Sequence, residues 1–398
     1  MSTMDDSLHY NESLILSELE RRFYLYLIGG DYEKLFYTFD AGQGNNDLDD
    51  EQLNMSRIRL EVEVSQQDRL QKARENYADP EYKGILDYML KSRINNKLEK
   101  QDDLFASCPE LRDLQPILKS FGEHQEFDQA LLKDINQIPW LSAQIKRFSQ
   151  NPEYQNLLGL KSKGDTNEIL SKLGYQLFVW LLPRFISEVL HAKMHPSLRD
   201  LVGRLRQYGR FTSGAIAKLV VRANIQQKDK WMIYMLAGIS VVPLFLIINM
   251  VNAEINSLIA QQKEALLQEE HVDKNKLDVL DNYVFSSDAM REFLCLEEIL
   301  KPHILEDLGF EHFDPMPYLL GYADQDSPLA NVFFQARAYA LYRQLFKTGR
   351  IHPHETAIFL RKHKIDKTLL HQLNEFDLTS IATHINLFQS MLAFHQKG

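Results

Sequence analysis

An uncharged apolar run at residues 231–253 constrains the fold more than any other feature of this sequence. No acidic or basic residue lies between Lys230 and Glu254, so a helix formed by the run is long enough to cross a bilayer. The basic residues just before it would then place its N-terminal side in the cytoplasm. A helix buried on all sides at the centre of a large helical domain has the same composition. Hydropathy by itself therefore leaves a membrane span and a core helix open.

The remaining sequence is typical of α-helices. Apolar residues recur at helical spacing over 13–27 and 82–98, and the first of these segments is followed by Gly29 and Gly30, which stop helices. We interpret the charged segment 55–76 as a solvated helix, although part of it alternates like a strand. Clear strand patterns are otherwise absent, so the sequence predicts an all-α fold.

Composition narrows the class of protein. The 398 residues are 44% apolar and 25% charged, which is average for a soluble globular protein and excludes disordered, collagen-like and polytopic membrane chains. The formal charge of −10 counts against a nucleic-acid-binding protein, which is usually basic. The two cysteines, Cys108 and Cys295, form no CxxC motif, and the N-terminus lacks the features of a signal peptide. We therefore expect a cytoplasmic protein.

Several motifs follow one another in a fixed order in the middle of the chain. The segment Gln137-Ile-Pro-Trp-Leu141 indicates a proline turn between two helices. A second turn follows at Leu173-Gly174, and the apolar run contains Ala237-Gly238. In this order and spacing the motifs resemble those of the HDOD domain, although Ile138 stands where that family usually has an aspartate.

The resemblance covers residues 104–345 and implies a multi-helical bundle related to the HD-type phosphohydrolases. It implies that the apolar run is a central core helix and not a membrane span. It divides the chain into a helical N-terminal extension at 1–103, the HDOD-like domain at 104–345 and a helical C-terminal segment at 346–398. HDOD domains are generally non-catalytic modules of bacterial signal transduction, so the resemblance also implies a regulatory function.

The same resemblance bears on catalysis. An HD hydrolase binds its metal with histidine and aspartate side chains, including an adjacent His-Asp pair, and the metal activates a water molecule. Val241 and Val242 occupy the position of that pair, and no histidine lies between residues 196 and 270. Glycine motifs of the P-loop and Rossmann types are absent as well. The sequence therefore predicts no catalytic residue, no metal site and no cofactor.

The remaining histidines do not form a convincing metal-binding pattern. His191 and His195 are four residues apart, but no acidic residue stands between them as in the HExxH motif. The others that we interpret as structural or surface histidines are His303, His312, His352 and His354.

Arginine is densest at residues 199–222, where Asp200 is the only acidic residue. Arg206 and Arg210 are four residues apart and share a helix face, which Arg204 and Arg206 cannot do. The alternative is a solvated helix face that balances the acidic remainder of the chain. The predicted interaction surface comprises Arg199, Arg204, Arg206 and Arg210.

These observations predict a non-catalytic regulatory scaffold that binds an unknown protein partner. We expect no nucleic acid, no cofactor and no membrane insertion. Two alternatives remain at this stage. One is a single-pass membrane protein with its span at 231–253, and the other is a residual phosphohydrolase or nucleotide-binding domain.

Overall fold

The computed structural model describes residues 3–29, 79–99, 104–121, 126–160, 164–189, 194–223, 225–226, 229–324 and 326–395. The regular secondary structure in these ranges is helical, and none of it is β-strand. The prediction of an all-α fold is confirmed. The segment 55–76, for which a solvated helix is predicted, and His191 lie outside the described residues.

The N-terminal part of the chain forms two long helices, α1 (Thr3–Ile28) and α2 (Pro80–Glu99), over the two segments where helical spacing predicts them. A 3-10 turn at Leu104–Ser107 leads into a series of short helices. These are α3 (Pro109–Asp113), α4 (Gln115–Ser120), α5 (Gln129–Gln137), α6 (Pro139–Ser149), α7 (Pro152–Leu158) and α8 (Thr166–Leu173).

Four helices follow and form the centre of the molecule. They are α9 (Tyr175–Val189), α10 (Arg199–Arg222), α11 (Lys230–Ile239) and α12 (Val242–Leu267), with a 3-10 turn at Pro196–Leu198. The chain ends in α13 (Lys274–Asp281), α14 (Ser287–Cys295), α15 (Glu297–Leu308), α16 (Met316–Leu319), α17 (Pro328–Lys347), α18 (Pro353–Lys362), α19 (Lys367–Glu375) and α20 (Ile381–His395).

Local sequence explains the turns between the short helices. Ile138 is extended because it precedes Pro139, and a residue before proline is driven away from helical geometry. Helix α5 therefore ends at Gln137, and α6 begins at the proline. Gly174 separates α8 from α9 with a φ of 73°, a value that favours glycine. Both turns lie where the HDOD-like motifs predict them.

The apolar run forms two consecutive helices in the core. Helix α11 ends at Ile239 and α12 begins at Val242, so the run is broken in its middle. Within the described ranges, residues 230–267 alone have the length and hydropathy of a membrane span, and 94% of their most apolar window is buried. The first charge after the run, Glu254, is itself buried and pairs with Lys97 of α2 at 2.6 Å. This burial is consistent with the core helix of a soluble protein.

Helix α10, the arginine-rich stretch, lies at the centre of the fold. It packs against α1, α9, α11, α17 and α20. Gly214 allows the chain at Leu378 to approach α10, because a Cβ at this glycine would lie 2.2 Å from the Leu378 carbonyl oxygen. The buried side chains of α10 include Leu201, Val202, Leu205, Tyr208, Phe211, Ile216 and Leu219. The stretch is therefore a core helix whose basic side chains emerge at its edges.

The two terminal segments meet through α1, which packs against α10, α14, α17 and α18. The side chain of Arg22 is buried in this contact. Its guanidinium group lies 2.8 Å from Glu18 Oε1 within α1 and 2.7 Å from Glu355 Oε2 on α18. The predicted segments 1–103 and 346–398 are thus joined by a buried ion pair.

Candidate anion-binding cleft

A half-open cleft of about 540 Å³, its mouth included, lies between α9, α10 and the junction of α11 with α12. Its floor is apolar and includes Gly238, Val241 and Phe245. Gly238 allows α11 to approach α9, because a Cβ at this position would lie 2.3 Å from the Pro183 Cβ. Residues 378–384, at the start of α20, contribute the remaining wall.

Three arginines line this cleft, and we call them the arginine cluster. Arg184 comes from α9, whereas Arg206 and Arg210 stand one turn apart on α10. All three side chains are half-buried. Arg184 Nε donates to Glu188 Oε1 at 3.1 Å, and the same oxygen lies 3.9 Å from Arg206 Nη2. One carboxylate therefore serves two of the three guanidinium groups.

Two buried N–H groups of the arginine cluster have no acceptor. The Nε atoms of Arg206 and Arg210 are shielded from solvent and form no hydrogen bond within the described part of the chain. Buried polar groups are normally satisfied in folded proteins, and an unsatisfied donor costs about 1–3 kcal/mol. An anion that enters between these two side chains would supply the missing acceptors.

The charges in the cleft are unbalanced. Burial lowers the pKa of Arg206 and Arg210 below the ordinary value for arginine, and the positive charge of Arg184 lowers both further. Glu188 acts in the opposite direction on both groups. Because arginine keeps its proton in proteins, three positive charges face one negative charge at neutral pH. A bound anion would reduce this repulsion.

An aromatic pair forms the wall beside the arginine cluster. The buried imidazole of His384 stacks on Trp180 with ring centroids 4.6 Å apart. Its Nδ1 lies 2.6 Å from the Ser380 carbonyl oxygen. Burial lowers the pKa of His384, and nearby backbone groups oppose this only in part, so the imidazole is neutral at pH 7. This wall offers a planar, uncharged surface to a ligand.

The four arginines of the predicted interaction surface have different surroundings. Arg206 and Arg210 line the cleft together. Arg204 Nη1 donates to the Leu27 carbonyl oxygen at 2.9 Å and so caps the end of α1. Arg199 is exposed at the start of α10. The structure therefore brings two of the four into one site.

Sequence analysis missed Arg184 and Glu188, which belong to a different helix from the arginine-rich stretch. They are the only two charged residues of α9 and stand four residues apart near its end. Such a pair in an otherwise apolar helix indicates the point where the helix reaches a polar site. Their proximity to Arg210 depends on the packing of α9 against α10, which sequence spacing does not show.

In the described part of the chain, the valine pair and the histidines lie outside any group of potential metal ligands. Val241 is on the cleft floor, and Val242 is buried behind it. His195 Nδ1 lies 2.8 Å from Ser197 Oγ, which gives this histidine a local structural contact. Among the residues that the structure describes, no three His, Cys, Asp or Glu side chains are grouped so that they could hold a metal ion. The exposed histidines include His303, His312, His352 and His354.

Comparisons of the chain with family models, with curated proteins and with solved structures find no match. The resemblance to HDOD domains therefore stays a prediction that rests on the motifs alone. The chemistry of the cleft, described from its own residues, is the stronger basis for a function.

Proposed function

We propose that the protein is a non-catalytic regulatory scaffold of bacterial signal transduction that acts in the cytoplasm by binding a partner protein. The partner would bind at the arginine cluster through a carboxylate or phosphate group on its surface. The observation that carries this proposal is the pair of buried N–H groups on Arg206 and Arg210 that have no acceptor.

The chemistry of the cluster favours an oxyanion over other ligands. A guanidinium group presents its N–H donors in a planar fork that matches the two oxygens of a carboxylate or the oxygens of a phosphate. Arg206 and Arg210 offer two such forks one turn apart, with Arg184 beside them. In a half-buried cleft these charge-assisted hydrogen bonds are screened less than on an open surface.

The resemblance to HDOD domains supports the regulatory part of the proposal. In that resemblance Val241 stands where an HD hydrolase has a metal ligand, and Val241 lies on the floor of the cleft. Valine side chains have no atom that binds a metal. We infer that the cleft corresponds to the hydrolase site and that anion recognition has replaced catalysis there.

Inorganic sulfate and phosphate are direct probes of the arginine cluster. At constant ionic strength, with chloride as the reference, we expect both anions to raise the Tm of the wild-type protein, because a ligand of the folded state stabilises it. The double variant Arg206→Gln, Arg210→Gln should lose most of this shift. Arg199→Gln, an exposed change on the same helix, is the matched control and should keep it. Equal shifts in the wild type and the double variant would contradict the anion site.

A photo-crosslinking residue at Ser187, which lines the cleft, tests for the protein partner. In cells we expect a discrete adduct with a second protein, and we expect it to disappear when Arg206 and Arg210 are replaced by glutamine. The same crosslinker at Lys172, exposed on α8, is the control for random collisions. If Ser187 gives no adduct that depends on the two arginines, the cleft does not hold a protein and the scaffold proposal fails.

A further inference from the structure

A second cavity, of about 1030 Å³ with its mouth included, lies where α1, α17 and α18 meet. It shares no lining residue with the arginine cleft. Its walls come from all three predicted segments of the chain. Glu20 belongs to the N-terminal extension, Arg337 to the HDOD-like domain and His363 to the C-terminal segment.

Glu20 and Arg337 line this cavity with opposite charges that do not meet. Neither forms an ion pair shorter than 4 Å with another side chain in the described ranges. Arg337 Nε donates only a long hydrogen bond, 3.5 Å, to the Tyr208 hydroxyl group. Burial raises the pKa of Glu20, and the charge of Arg337 counteracts this only in part. The two groups therefore influence each other across the cavity without contact.

Behind the cavity wall Lys301 is shared by two carboxylates, and the charge of Glu297 also attracts Arg337 from beyond ion-pair distance. Lys301 Nζ lies 3.3 Å from Glu297 Oε1 and 2.6 Å from Glu298 Oε1. The Tyr24 hydroxyl group donates to Glu297 Oε2 at 3.1 Å. Arg337 is the cation of this network that borders the cavity. It has no ion-pair partner within 4 Å in the described chain.

The rest of the lining is apolar or neutral apart from two exposed lysines, Lys362 and Lys364. Burial, reinforced by the charges of Arg337 and Lys362, lowers the pKa of His363 to about 4, so this imidazole is uncharged at pH 7. Lys364 is paired with Asp326 at 3.0 Å. The apolar side chains of the lining are Leu16, Phe334, Leu341 and Phe359. A ligand that complements this cavity carries a positive and a negative charge at one end and an apolar group at the other.

We propose that this cavity binds a free amino acid with an apolar side chain, whose carboxylate pairs with Arg337 and whose ammonium group pairs with Glu20. The apolar side chain of the ligand packs against Phe334, Leu341 and the neighbouring apolar lining. The bound molecule bridges α1 and α17, so it adds a contact between the N-terminal extension and the HDOD-like domain. The cavity is therefore suited to a regulatory ligand, independent of the anion cleft.

Calorimetric titration of the full chain tests this proposal with L-leucine and L-phenylalanine as probes. Two analogues of leucine separate the charges: 4-methylpentanoate lacks the amino group, and 3-methylbutylamine lacks the carboxylate. We expect leucine to bind at least about tenfold more tightly than either analogue, because each analogue leaves one lining charge without a partner. If 4-methylpentanoate binds as tightly as leucine, the cavity is a simple anion site and the proposal is wrong. The proposal also fails if neither amino acid binds.

Two variants assign the charges within the wild-type fold. Glu20→Gln should weaken leucine binding about tenfold and leave 4-methylpentanoate binding unchanged or slightly tighter, because a repelling carboxylate is removed, whereas Arg337→Gln should weaken both. The matched controls are Glu264→Gln, exposed on α12, and Arg343→Gln, which lies on α17 and contacts Asn374. Should Arg337→Gln unfold the protein, Glu20→Gln is the deciding variant, because Glu20 keeps part of its surface in solvent even though the cavity wall around it raises its pKa. Unchanged leucine affinity in Glu20→Gln would overturn the assignment.

Discussion

Arginines only two positions apart on α10 have unrelated surroundings. Arg204 donates to the Leu27 carbonyl oxygen at the end of α1, whereas Arg206 lines the cleft beside Arg184. Two residues correspond to about 200° around a helix, so the side chains point in nearly opposite directions. Within one turn, one arginine caps a neighbouring helix and another keeps a buried N–H group without an acceptor in the described chain.

Glu188 competes with any anion for the arginine cluster. Its carboxylate contacts Arg184 and lies 3.9 Å from Arg206 Nη2. We expect Glu188→Gln to bind sulfate roughly threefold more tightly, about 0.7 kcal/mol, because the repelling charge is removed. Sulfate titration of the Tm measures the change. The control Glu306→Gln, exposed on α15, should bind as the wild type does, and weaker binding by Glu188→Gln would contradict the proposed site.

Val242 tests the burial of the apolar run. It is 2% exposed at the start of α12, so the carboxylate of Val242→Asp would be buried without a partner. We expect the free energy of unfolding to fall by about 3 kcal/mol or more. Val221→Asp is the matched control, because Val221 is 48% exposed on α10. Chemical denaturation of both variants gives the comparison, and equal stability would rule out burial at Val242.

Substitutions at two glycines of α10 separate the effect of close packing on stability from the effect of helix propensity. A Cβ at Gly214 would lie 2.2 Å from the Leu378 carbonyl oxygen, whereas a Cβ at Gly203 meets nothing within 4 Å. We expect Gly214→Ala to destabilise the protein by about 1–3 kcal/mol through overpacking. Gly203→Ala should stabilise it by up to about 1 kcal/mol, since alanine favours helix over glycine. Thermal unfolding of the two variants should shift in opposite directions, and parallel shifts would contradict the contact with Leu378.

At the scale of the helices, the sequence predicts those helix ends that a single proline or glycine determines. Pro139 and Gly174 set helix ends by their own backbone preferences, so these turns were predictable. The arginine cleft was predictable only in part. Spacing shows that Arg206 and Arg210 share a face, but Arg184 joins them through the packing of two helices that are separate in sequence. Tertiary packing also places Arg204 outside this group, at the end of α1.

At the scale of the whole molecule, α1 holds the N-terminal and C-terminal segments together through Arg22, and the pairing of Glu18 with Arg22 within α1 makes the stability depend on pH. Burial alone would raise the pKa of Glu18, but hydrogen bonds from Arg21 and Arg22 outweigh it and hold the pKa below the ordinary 4.5. A carboxyl group with a lowered pKa in the folded state adds stability that is complete above the ordinary value. We expect this stability to be lost as the pH falls below 4.5. Urea unfolding between neutral pH and pH 3 measures the loss.

The same contact is tested at neutral pH by Arg22→Met. Removing the buried cation leaves Glu355 without its partner on α1 and leaves Glu18 with Arg21 alone, so we expect a loss of about 3–5 kcal/mol and a weaker acid dependence. Arg21→Met is the control, because the Arg21 side chain is 39% exposed and its pair with Glu18 is screened by solvent. Equal losses in the two variants would show that the ion pair between α1 and α18 does not set the stability.

The apolar run of α11 and α12 is covered in two stages during synthesis, because α2, α9 and α10 precede it in the chain and α17 follows it. Helix α17, which packs on α10 and α11, is completed roughly 90 residues after the run, or about 5–20 s later at ordinary rates of translation. Until α17 is in place, part of a segment with the hydropathy of a membrane anchor stays uncovered by its final partners. We expect chaperones that act on the nascent chain to bind this segment in that interval, in competition with the membrane-targeting machinery. The order of synthesis, in addition to the finished fold, would then affect how often the protein is misdirected.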